Sequence, residues 1–164
     1  MSYNVTNGNA SEREHAGNSD GNGFQTFEDL GVYRTAREFR KAMYAVSRRL
    51  PDSEKYDLAS QIRRAAVSLT NNIAEGHGRF HYPDQIRFIL HSRGSLEELV
   101  DDLNICSDEN YLLADDVVKL KEQASGVLIL INGYLRYLRS RSSSIQESDD
   151  SYSASTDLLD DPLL

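Results

Sequence analysis

Four stretches of this chain repeat apolar residues at steps of three and four, and that rhythm limits the fold more than any other feature. The first runs Val32, Ala36, Phe39, Met43, Val46 and Leu50, and the second Leu58, Ile62, Ala65, Leu69 and Ile73. The third runs Ile89, Ser92, Leu96, Leu99, Leu103 and Cys106. The fourth runs Val117, Leu120, Ala124, Val127, Ile131, Tyr134 and Leu138. Such spacing keeps one apolar seam on one side of a helix. No stretch shows the period-two alternation of an exposed strand.

The breaks between these stretches carry their own signals. Leu50-Pro51-Asp52 closes the first helix, because the residue before a proline avoids helical backbone. Gly76 and Gly78 are expected to end the second, and Pro83 opens the third. Links this short favour antiparallel neighbours packed at roughly 20°, so the expected fold is all-α, an antiparallel up-down-up-down four-helix bundle over residues 24–140.

Outside the bundle the composition changes. Residues 1–23 are rich in Gly, Asn and Ser and are expected to be a disordered leader. Residues 141–164 are expected to form a Ser-rich, acidic, disordered tail. The net charge of −8 belongs mostly to these tails, since 24–140 holds 16 Lys/Arg against 17 Asp/Glu. Within the bundle the charge is segregated: 12 bases lie between Arg34 and Arg93, whereas 97–116 has eight acids and no base. No apolar run approaches the ~18 residues of a membrane span and no signal segment is visible, so a cytoplasmic location without a membrane partner is expected.

Catalytic and metal chemistry find little to build on. A di-metal bundle needs Glu-x-x-His on two helices, and no such pair falls in the periodic segments. Glu97, Glu98, Asp101 and Asp102 flank the Leu96–Leu99–Leu103 seam and are expected on a solvated face. His77 and His81 have a zinc-compatible spacing, but glycines interrupt them and no third ligand is in view. The single Cys106 excludes an internal disulfide and falls on the apolar seam, where cysteine acts as a small hydrophobe. The expectation is therefore no catalytic residues, no metal, no cofactor and no enzymatic activity.

Nucleic acid is the better-supported ligand. Arg63, Arg64, Arg79, Arg87 and Arg93 gather in sequence around the second-to-third helix connection, interleaved with Phe80, His81 and Tyr82. Arginines for phosphates and aromatics for unstacked bases suit such a ligand. The competing reading pairs these arginines with Glu75, Asp84 and the acidic stretch. A second surface is expected on the same helix, where Asn71 and Glu75 share an outer face with Arg64 and Ser68, and Asn72 projects near the seam's edge. Surplus apolar residues off the main seams, above all Leu128, Ile129, Leu130 and Tyr137, point to burial against another subunit.

Three stretches, FEDLGVYRTAREF (27–39), QIRRAAVSLTNNIAEGHGR (61–79) and FILHSRGSLEEL (88–99), resemble the four-helix-bundle family of 23S rRNA intervening-sequence proteins. The resemblance covers roughly 27–140. It implies the bundle fold, a ring-like homopentamer and no enzymatic activity. The same superfamily includes the accessory protein of diversity-generating retroelements, which implies RNA or a reverse transcriptase as possible partners. The motif residues Val67, Ser68, Asn71, Asn72, Glu75 and Gly76 become candidates for the oligomer interface. Thr70 stands where the family often has proline, and this bundle is near neutral where the retroelement relative is basic.

Overall fold

The computed structural model describes residues 26–156, with side chains placed through Ser144. Residues 1–25, which include the expected leader 1–23 and the first two residues of the expected bundle, and residues 157–164 lie outside the described residues. The described chain is all-α, with four helices: α1 (Gly31–Arg49), α2 (Leu58–His77), α3 (Tyr82–Asp108) and α4 (Ala114–Thr156). A short 3-10 turn at Phe27–Asp29 precedes α1, closed by reciprocal bonds between Thr26 and Asp29.

Each helix buries the stripe that its periodicity marks, and α1 packs on α2, α2 on α3, α3 on α4 and α4 on α1. Phe39, Met43, Ile62, Leu69, Ile73, Ile89, Leu96, Leu99, Leu103, Val127, Ile131 and Leu138 are essentially sealed from solvent. Two seam positions differ from the expected reading: Leu50, at the end of α1, is only half-buried, and in α4 Leu135 is buried while Tyr134 stays half-buried. A phenol has a polar tip that favours a wet edge, and the leucine beside it has none.

α2 and α3 run antiparallel, their partners rising along α3 as they fall along α2. Ser92 Oγ donates to the Leu69 carbonyl at 2.7 Å, and Ser95 Oγ to Ser68 Oγ at 2.8 Å. One turn further on, Arg64 Nη2 lies 3.7 Å from Glu98 Oε1. Small residues at these positions bring the helices together while pairing every hydroxyl that the contact buries.

Gly76 belongs to this contact, which corrects its expected role as a helix end. It is buried within α2, and a Cβ on it would lie 3.1 Å from Phe88 Cβ and 3.3 Å from the Gln85 carbonyl oxygen. The helix runs on to His77 and is capped at Gly78 with φ −76°, so no left-handed glycine ends it. Termination of α3 does use that geometry. Asn110, at φ 57°, lets Tyr111 N–H donate to the Cys106 carbonyl at 2.8 Å and its own N–H to Ser107 at 3.1 Å, a Schellman closure on one of the residues that tolerates positive φ.

Residues 141–156, the first part of the expected tail, continue the α4 backbone as helix. No Gly or Pro occurs between Gly133 and Pro162 to stop it. Ser140, Ser143 and Ser144 turn their hydroxyls back onto the carbonyls of Tyr137, Arg139 and Arg141, so their polar groups do not compete for helix N–H donors. Among the described side chains of α4, Leu138 is the last buried one. Among the described residues no helix is long and apolar enough to cross a membrane.

Candidate nucleic-acid interface

The five arginines adjacent in sequence do not form one cluster. Arg64 lies in α2 thirteen residues before its end at His77, about 20 Å along the axis, and Arg79 stands just past that end. Arg63 and Arg64 lie toward the α1–α2 end. There Arg63 Nη2 donates to the Lys55 carbonyl at 3.1 Å, and Arg64 faces Glu98. Arg93 sits midway along α3, 4.0 Å from Glu97 Oε1. Arg79 and Arg87 alone flank the α2–α3 connection.

That connection is held from both sides. Gly78 N–H donates to the Ala74 carbonyl at 3.2 Å, and Arg79 N–H to that of Gly76 at 3.1 Å. From the α3 side, Gln85 Nε2 donates to the Arg79 carbonyl at 2.8 Å. The Arg79 guanidinium pairs with Glu75 and lies 4.6 Å from the centroid of the Phe88 ring, a cation–π arrangement. Arg87 is exposed and makes no ion pair among the described residues. The rings of Phe80 and His81 meet edge to face at 5.1 Å, both exposed.

α4 brings further arginines to this end, which periodicity alone does not reveal. Arg141 lies close enough to Tyr82 that the phenol raises its pKa, and Arg136 and Arg139 precede it on exposed positions. The opposite end carries Asp108, Glu109, Asp115 and Asp116, with Arg49 bonded to Asp116 at 2.9 Å. Charge is thus biased along the bundle axis: arginines of the connection, α3 and α4 gather at one end, while at the other these carboxylates stand among Arg48, Arg49, Lys55 and Arg63.

The motif residues of α2 divide between inside and outside. Asn71 and Glu75 are exposed, and Val67 is half-buried. Ser68 does not lie on the outer face: it is half-buried, bonded to Ser95 and accepting from Asn72 Nδ2 at 3.0 Å. Asn72 also donates to the Ser68 carbonyl at 2.8 Å, so its amide is used within its own helix. Thr70 is buried, with its hydroxyl accepting from Arg40 Nη1 at 2.9 Å. With Gly76, these residues make α2 fit α1 and α3, leaving Asn71 and Glu75 for any outer contact.

Asp102 does not lie on the solvated face expected of it. It is buried at 3% exposure, not solvated, and its Oδ2 has no hydrogen-bond partner. Burial, then the Glu98 and Asp101 carboxylates, push its pKa up to about 6, against a smaller pull from Arg64. One turn on, burial pushes the Cys106 thiol up to about 11, which disfavours a thiolate nucleophile. No group of three or more metal-ligating side chains occurs among the described residues.

Comparison with curated proteins returns no match. A family profile does match, over residues 28–133 and so well over half of the chain, spanning α1–α3, the first 20 residues of α4, the arginines from Arg63 to Arg93 and the buried serines, but not Arg136, Arg139 or Arg141. The chain belongs to the 23S rRNA-intervening sequence protein family.

Proposed function

We propose that the protein is a non-enzymatic, cytoplasmic accessory factor that binds structured RNA or an RNA–protein complex as a homo-oligomer, the pentamer implied by its resemblance. The observation that supports the RNA reading is the local gathering of arginines at the α2–α3 end of the bundle. Arg79 and Arg87 flank one end of the bundle beside exposed aromatic rings, and α4 adds arginines there. Phosphate binding by arginines releases counterions, so near-neutral overall charge does not preclude it where the bases are gathered locally.

Arg63, Arg64 and Arg93 leave the candidate site under this reading, because they lie along the bundle away from the α2–α3 connection, each beside a partner of its own chain. Their pairing favours a second reading, a protein-interaction scaffold in which arginines serve structure alone. Fluorescence anisotropy with a labelled stem–loop RNA separates the two. Under the RNA reading affinity falls steeply from 50 to 200 mM salt, and Arg87→Ala weakens it while Arg93→Ala has little effect. Absence of salt-dependent binding overturns the RNA reading and leaves the scaffold.

Oligomerisation draws support from α4. Val118 and Ile129 are more than half exposed, as is Tyr137, and Gly126 and Gly133 have nothing within 4 Å of a built Cβ. Helix-interior glycines cost roughly 1 kcal/mol each relative to alanine, a cost that close approach of another helix offsets.

A further inference from the structure

Phe80 is the most exposed large hydrophobic side chain among the described residues, at 91%. It stands in the connection between α2 and α3, which is pinned on both sides by the Arg79 and Gln85 bonds. Among the described aromatic rings only His81 meets it, edge-on, and at this exposure a face of the phenyl is open. An aromatic held outward on a braced loop is already ordered for binding, and a ligand that stacks on it loses little conformational freedom. The guanidinium groups on either side favour a polyanion over an apolar peptide.

We infer that Phe80 is a stacking platform for unpaired bases of single-stranded RNA, whose phosphates lie on Arg79 and Arg87. This rests on the RNA reading above and narrows it to nucleotides outside a duplex, since paired bases offer no free face. The ring is indifferent to base identity, so recognition is by strandedness and not by sequence.

The test uses the full chain with a labelled single-stranded 12-nucleotide RNA and a blunt duplex of the same length. The single strand binds about tenfold or more tighter than the duplex. Phe80→Ala weakens the single strand by about 5- to 100-fold, the effect of one lost base–aromatic stack, with the salt slope unchanged. The chain has no tryptophan, so Phe80→Trp supplies a single reporter that retains binding and is quenched by the single strand. Equal binding of strand and duplex, with Phe80→Ala neutral and Arg87→Ala impaired, overturns the stacking inference and leaves the RNA reading intact. No binding of either RNA removes both. If Phe80→Ala instead changes particle mass by light scattering with RNA binding unaltered, the ring covers a protein contact and the inference fails.

Discussion

Gly76 of α2 and Phe88 of α3 stand so close that a Cβ on the glycine would lie 3.1 Å from the phenylalanine Cβ. Both obstructing groups, that Cβ and the Gln85 carbonyl, are fixed to the α3 backbone, so relief requires the helix itself to shift. The glycine that looks like a helix stop in sequence is a spacer between two helices.

Gly76→Ala therefore destabilises the fold by about 1–2 kcal/mol, overpacking outweighing the gain in helix propensity. Gly94→Ala is the control, because nothing lies within 4 Å of a Cβ there, and it stabilises by about 0.4–1 kcal/mol. Chemical denaturation of the three proteins checks both signs. A Gly76→Ala protein as stable as the Gly94→Ala protein contradicts the spacer role.

Asp102 makes stability pH-dependent in a direction opposite to that of a salt-bridged carboxylate. Its pKa rises from 3.8 unfolded to about 6 folded, so the folded state holds its proton more tightly. The favourable contribution is complete below pH 3.8 and is lost as pH rises through 6, a change of about 3 kcal/mol. Asp102→Asn is expected to be more stable than the parent at pH 8 by about 1–3 kcal/mol, with the difference shrinking toward pH 4. Denaturation midpoints across that range measure it, and a difference independent of pH rejects it.

Ser92 tests the α2–α3 seam. Its hydroxyl donates to Leu69 from a fully buried position, so Ser92→Ala costs about 1 kcal/mol for the lost bond. Ser92→Leu costs more, about 1–3 kcal/mol, because the helices must separate to admit the side chain. The ordering of the two melting temperatures is the readout.

Assembly is tested on α4. Ile129, 66% exposed, is expected to lie in a subunit contact, and Ile129→Glu lowers the mass measured by light scattering while leaving helical circular dichroism unchanged. A parent protein that is monomeric at micromolar concentration removes the oligomer reading.

Periodicity and punctuation alone determined the four helices and their buried stripes, because steps of three and four place side chains on one face whatever the neighbours are. The motif stretches were likewise enough to mark the family. Tertiary structure decided what spacing along one helix does not contain. Asp102 reads as one more solvated acid among Glu97, Glu98 and Asp101, and only the packed bundle buries it. Gly76 reads as a stop, and only the approach of Phe88 makes it a spacer. Five arginines near one another in sequence separate because a helix advances about 1.5 Å per residue, carrying Arg64 to Glu98 and leaving Arg79 and Arg87 at the far end. There the antiparallel return of α3 and α4 brings Arg141 against Tyr82, a meeting of residues 59 positions apart in sequence that no local pattern records.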